Sequence, residues 1–134
     1  MRRHKKLIVI IAVFLCLGAG FTIWFFSGNP SIGKDGIQEI SIQKLSDVGP
    51  PTTKTISNPD DIARFTELWD GISFYPVIQI ANPSGTYAFL GFKADPYRYP
   101  IQINSKHRIQ VGIRYFDTEE DLFTLINQFY HSVQ

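Results

Sequence analysis

Chemistry in a protein needs particular side chains brought together, so the histidines, acids and nucleophiles come first. Beyond the apolar N-terminal stretch the chain has His107 and His131, no cysteine, and two acidic runs, Asp60-Asp61 and Glu119-Glu120-Asp121. A metal site needs several His, Cys, Asp or Glu ligands at short characteristic spacings, and the two distant histidines offer none. No Gly-x-Ser-x-Gly elbow is present, and the serines stand in turn-like contexts where hydroxyls cap backbone groups. Both acidic runs fall where a helix is expected to begin, and there carboxylates stabilise the positive end of the helix dipole without any catalytic duty. No glycine-rich phosphate loop follows a strand; Gly33 and Gly36 read as part of a flexible tether. The residues therefore assign no catalytic group, no metal ligand and no cofactor, and the outer domain reads as a non-enzyme.

One cluster has a composition suited to recognition. Between positions 93 and 114 the bases are Lys93, Arg98, Lys106, Arg108 and Arg114, against the single acid Asp95, and Tyr97 and Tyr99 are interleaved with them. Tyrosine and arginine are enriched where proteins meet partners, and bases attract anionic head groups. Tyr97, Arg98, Tyr99, Lys106, Arg108 and Arg114 are thus the candidate partner surface, for an envelope protein or a glycan. The plainer alternative is a solvated strand face with aromatic rings folded onto it. Nucleic acid is excluded as a partner: Arg2, Arg3, Lys5 and Lys6 stand before the apolar stretch, and the remaining chain has more acids than bases.

The elements that would carry this surface begin with the N-terminus. Leu7 to Phe26 contains no charge over 20 residues, and at 1.5 Å per residue such a helix spans about 30 Å, the thickness of the hydrocarbon layer. Trp24 suits an interface, and Asn29-Pro30 ends the helix. Four bases precede the segment, so the positive-inside rule places residues 1–6 in the cytoplasm, 7–26 across the membrane, 27–36 as a tether, and 37–134 outside. A cleaved signal peptide is the competing reading, with Gly18-Ala19-Gly20 as the small-residue site, but cleavage there would leave Phe21 to Phe26 as an exposed apolar tail. The only cysteine, Cys16, follows the large Leu15, which does not fit a lipobox. A cysteine-free outer domain suits the exported proteins of many Gram-positive bacteria.

The outer domain is expected to be α+β, in the order β-β-α-β-β-β-β-α, with a mostly antiparallel sheet and two amphipathic helices on one face. Ile37 to Leu45 alternates as a half-buried strand, and Thr52 to Ser57 pairs with it across Gly49-Pro50-Pro51. Asn58-Pro59-Asp60-Asp61 opens a helix with the stripe Ile62, Phe65, Leu68 and Trp69, closed by Gly71. Four further strands are expected, 74–81, 86–93, 99–104 and 107–116, joined as a meander across Asn82 to Gly85, Asp95-Pro96 and Asn104 to Lys106. Tyr87 to Phe92 is apolar on both faces, which suggests a central strand covered twice or a second face kept for a partner. Asp117-Thr118-Glu119-Glu120 reads as a capping box opening the last helix.

With strand, cap and helix start in place, Thr53 to Ile62 resembles the corresponding segment of small, uncharacterised, membrane-anchored extracytoplasmic proteins of Gram-positive bacteria, the YhfM-like lipoproteins among them. That resemblance implies an extracytoplasmic domain and supplies no catalytic residues; this chain departs from it in lacking a lipobox cysteine. The expected function is a membrane-tethered, non-catalytic interaction or accessory module at the cell envelope. Two alternatives are an envelope enzyme acting on wall material, which would need a cleft joining His107 to Asp95 or another carboxylate, and an immunity or inhibitor protein.

Overall fold

The Asn58-Pro59-Asp60-Asp61 signal acts as its residue types dictate. In the computed structural model, which describes residues 2–26, 30–33, 35–45, 49–78 and 86–133, the Asn58 backbone is extended and its side chain accepts from the Asp60 N–H at 2.9 Å. Pro59 then takes the first helical position, where its missing N–H costs nothing, and α2 runs Pro59–Asp70 to a cap at Gly71. The buried face of α2 is Ile62, Phe65, Thr66 and Trp69. Leu68, expected in the apolar stripe, faces out instead, and Thr66 replaces it by folding its hydroxyl back onto the Ala63 carbonyl at 3.0 Å.

The fold is α+β, with an apolar helix α1 (Arg2–Phe26) ahead of the sheet. Strands β1 (Ile37–Lys44), β2 (Thr52–Ile56), β3 (Tyr75–Val77), β4 (Ala88–Ala94), β5 (Ile101–Ser105), β6 (Arg108–Val111) and β7 (Arg114–Asp117) form one antiparallel sheet in the order β2-β1-β4-β5-β6-β7-β3. The expected meander holds only for β4 to β7. Strand β1 pairs with β4, and β3 leaves the chain order to close the far edge beside β7. Helix α3 (Leu122–Ser132) follows the sheet, and it packs with α2 over one face. There Phe65 meets Phe129 edge-on at 4.9 Å and stacks toward Trp69 at 6.1 Å, above Ile40, Ile42, Leu90, Ile103 and Ile109.

Three expected boundaries move. The stretch 107–116 is two strands, because Gly112 takes φ +61° and turns the chain back so that Val111 pairs with Arg114. The apolar alternation is therefore broken: Ile113 sits exposed at the turn, Tyr115 faces outward and Phe116 fills the core. The last helix does not open at Asp117. That residue ends β7, the Thr118 hydroxyl accepts from the Glu120 N–H at 3.2 Å, and Asp121 is the true cap, accepting from the Thr124 N–H at 3.1 Å. Glu119 and Glu120 thus precede α3 and do not lie in its first turn. Of the strand expected over 74–81 only Tyr75–Val77 is formed among the described residues, and its end together with the Asn82 to Gly85 turn lies outside them.

The tether is not slack where it is described. Ile32 is 4% exposed and belongs to the core. Its N–H and that of Gly33 donate to the two carboxylate oxygens of Asp70 at 2.7 and 3.1 Å, while the Trp69 indole donates to the Pro30 carbonyl at 3.1 Å. Gly36 completes the entry, with φ +80° and its backbone so close to the Asp95 carbonyl that a Cβ would collide with that oxygen.

Candidate functional site

The register gives the sheet two distinct ends. The chain arrives from α1 at one of them, where the Gly36 carbonyl accepts from the Asp95 N–H at 2.9 Å and Ile37 pairs with Ala94. This entry end also holds the loop between β4 and β5, with Tyr97, Arg98 and Tyr99, and the turn between β6 and β7. Lys44, Ala88, Ser105, Arg108 and Asp117 lie toward the other, far end.

The six residues of the expected partner surface are accordingly divided. Tyr97 and Tyr99 are exposed at the entry end, their rings edge-to-face at 5.4 Å. Arg98 lies between them but serves the fold: its guanidinium donates to the carbonyls of Ile32 at 2.9 Å, Asp35 at 3.0 Å and Pro96 at 2.8 Å, clamping the tether to the loop. Arg114 lies at the same end, over the rings of Trp24 at 5.1 Å and Phe116 at 4.9 Å. Lys106 and Arg108 are at the far end. Lys106 is exposed in the turn between β5 and β6, and its carbonyl accepts from the Leu122 N–H at 2.8 Å, fixing that turn to the start of α3. Arg108 forks onto Asp117, Nε to Oδ1 at 2.6 Å and Nη2 to Oδ2 at 2.8 Å. That hydrogen bond holds the Arg108 pKa above its ordinary value and fixes the side chain against the sheet.

The acid–base residues are similarly placed. His107 stands in the far turn with Nδ1 2.9 Å from the Glu120 carbonyl, which can only accept, so Nδ1 carries the proton. Asp95 is at the entry end, so the length of the sheet separates it from His107. His131 is on the last turn of α3, its ring against that of Tyr130. Among the described residues no group of three or more His, Cys, Asp or Glu side chains converges on a metal position. The Asp121 carboxyl sits below the ordinary carboxylate range, chiefly because the Thr124 N–H donates to its charged form.

A surface that sequence reasoning only brushed is the sheet face opposite the helices. Reading across the register, Gln43, Phe89, Gln102, Gln110 and Tyr115 form one row over five adjacent strands, all half-buried. The Arg108–Asp117 pair and the exposed Tyr75 continue it at the far end. None of the described elements lies over this row: α2 and α3 pack on the other face, and α1 is exposed from Arg2 to Trp24. The signal was the two-sided apolar character of Tyr87 to Phe92. Ala88 and Leu90 point into the core, Phe89 points out, and Tyr87 stacks on Phe123 at 3.8 Å.

Helix α1 is long and apolar enough to cross a membrane, and its side chains are exposed from Arg2 to Trp24. The fold and its surfaces thus define an α+β domain on an apolar N-terminal helix. No family model matches the chain, and neither a curated protein nor a solved structure is significantly similar to it.

Proposed function

We propose that the protein is a single-pass membrane-anchored module whose extracytoplasmic domain binds an envelope protein through the open face of its sheet, without catalysis of its own. The observation that carries this reading is the row Gln43, Phe89, Gln102, Gln110 and Tyr115, which presents two aromatic rings among amides across five paired strands. Half-buried aromatic and amide groups on fixed strands lose little side-chain entropy when a partner covers them. The basic residues ahead of α1 support a cytoplasmic N-terminus, and the likeness of Thr53 to Ile62 to small extracytoplasmic proteins supports the same placement.

The test is site-specific photocrosslinking of the full-length protein in its native membrane, from Gln43, from Gln102 and from Gln128, which is exposed on α3. The expected result is one common adduct from Gln43 and Gln102, absent from Gln128 and abolished by Phe89→Asp. Equal yields from all three positions, or none above background, would overturn the open-face reading.

A further inference from the structure

Outside α1, the large apolar or aromatic side chains that the described residues leave exposed are Leu68, Tyr75, Ile78, Tyr97, Tyr99 and Ile113. Their distribution is uneven. Tyr97 and Tyr99 are on the loop after β4, Ile113 is the tip of the turn between β6 and β7, and Ile78 directly follows Val77, which pairs with Tyr115 next to that turn. These four occupy the entry end, and each keeps about two-thirds or more of its surface in solvent: 69%, 67%, 75% and 67% for Tyr97, Tyr99, Ile113 and Ile78.

The same end faces the helix that leads into the domain. Arg114, beside Ile113, lies over the Trp24 ring at 5.1 Å, and Pro30, Ser31 and Ile32 line a crevice with Tyr97, Tyr99 and Val111. Because Asp70, Trp69 and Arg98 fix the chain from Pro30 onward, only residues 27–29 lie between the end of α1 and the anchored backbone. Four peptide links reach at most about 14 Å. If α1 spans a bilayer to Phe26, that reach holds the entry end close to the head-group layer, itself roughly 5–7 Å thick, so lipid is within reach of its exposed apolar side chains.

We infer that the entry end of the domain, through Tyr97, Tyr99, Ile113 and Ile78, docks into the interfacial layer of the bilayer that α1 spans. Tyrosine suits this layer because its ring is apolar and its hydroxyl can stay wet, and an isoleucine at a turn tip enters it without burying strand-edge backbone. The bases at this end add little net charge to the contact: Arg98 is committed to backbone carbonyls, Arg114 to aromatic rings, and the exposed Lys93 stands opposite the acid Glu39 in the β1–β4 register. The docking is therefore apolar in character and resists salt. The inference rests on the membrane-anchor part of the proposed function and is independent of the open face.

The experiment uses full-length protein carrying Cys16→Ala, reconstituted in phosphatidylcholine vesicles and labelled with an environment-sensitive fluorophore at one introduced cysteine. Ile113→Cys and Tyr97→Cys report the entry end, Gln128→Cys reports α3, and Phe14→Cys reports the middle of α1. Lipids bearing a nitroxide near the head group or deep in the acyl chains act as quenchers. Expected are deep quenching at position 14, and emission shifted to shorter wavelength with shallow quenching at 113 and 97, at least several-fold above 128 and unchanged in high salt. Quenching at 14 with positions 113 and 97 no different from 128 overturns the docking and leaves the anchor standing. Loss of quenching at 14 refutes the anchor itself. Shallow quenching at 113 and 97 that disappears in high salt also overturns the inference, since it would mark an electrostatic contact.

Discussion

Asp70→Ala tests whether the domain is strapped to its entry segment. The Asp70 carboxylate accepts from Ile32 N–H at 2.7 Å and Gly33 N–H at 3.1 Å, and nothing else on α2 replaces those acceptors. A hydrogen bond contributes roughly 0.5–1.5 kcal/mol net, and more to a charged group, but Asp70 is exposed and water competes, so we take about 2 kcal/mol for the pair. For a domain of this size, 1 kcal/mol displaces Tm by about 4–8 °C, giving an expected fall of about 8–16 °C. The assay is thermal unfolding of the full-length protein in micelles, followed by near-ultraviolet circular dichroism. Asp70→Asn should fall between the two, because its amide oxygen still accepts from one N–H while its NH2 group faces the other. Ile32→Ala, which empties a core position, should cost about 2–5 kcal/mol in the same assay. If Asp70→Ala unfolds within about 2 °C of the parent protein, less than half of 1 kcal/mol, the carboxylate does not hold the strap and the short reach from α1 to the domain loses its basis.

Two further outcomes follow from single side chains. Lys54→Met removes donations to the carbonyls of Tyr130 at 2.5 Å and Val133 at 2.8 Å and a cation over the Tyr130 ring, so α3 should fray at its C-terminus and stability fall by roughly 1–3 kcal/mol in urea denaturation. Asp121 has a folded pKa below its unfolded value, so its cap contributes above the unfolded pKa and is lost as pH falls through the folded one; Asp121→Asn should keep most of the cap near neutral pH and flatten the acid limb of Tm against pH, whereas an unchanged acid limb would remove Asp121 from the account.

Much of the architecture was legible because local chemistry and tertiary packing agree. Asn58, Pro59 and the two following acids specify a helix start that the core then uses, and Ile40 and Ile42 alternate in a strand that is buried on one side. The hairpin at Gly112 was hidden because a two-residue turn preserves alternation on paper: Ile109, Val111, Ile113 and Tyr115 keep a period of two although the chain has reversed after Val111. Asp117 misled for a related reason. An acid before Thr-Glu-Glu satisfies the capping pattern, but the Arg108 fork across the strand pair holds it in β7, and the cap passes to Asp121. The candidate surface was legible only in composition. Spacing along the chain cannot show that β6 carries Arg108 to one end of the sheet and β7 begins with Arg114 at the other, nor that Arg98 spends its donors on carbonyls of the entry segment.

The two proposed surfaces constrain each other through the direction of the strands. Docking the entry end on a bilayer, as proposed, would raise the strands away from it, because β1 leaves that end at Ile37 and reaches the far end at Lys44, a rise of about 24 Å over the strand. The open face then looks sideways along the membrane surface, since side chains project perpendicular to the strands. Its row from Gln43 to Tyr115 crosses strands spaced about 4.8 Å apart and runs closer to the membrane at its β7 end, because Tyr115 is two residues from Ile113 whereas Gln43 is six residues from Ile37. A partner that meets five strands along such a line is best supplied by a neighbour held in the same bilayer, for which the encounter is confined to two dimensions and the height is already matched. In the proposed arrangement the strap at Asp70 and the clamp at Arg98 would limit how far that row can move from the membrane, because they leave only residues 27–29 between α1 and the anchored backbone; a longer slack tether would let the row wander and lose the advantage of sharing a membrane.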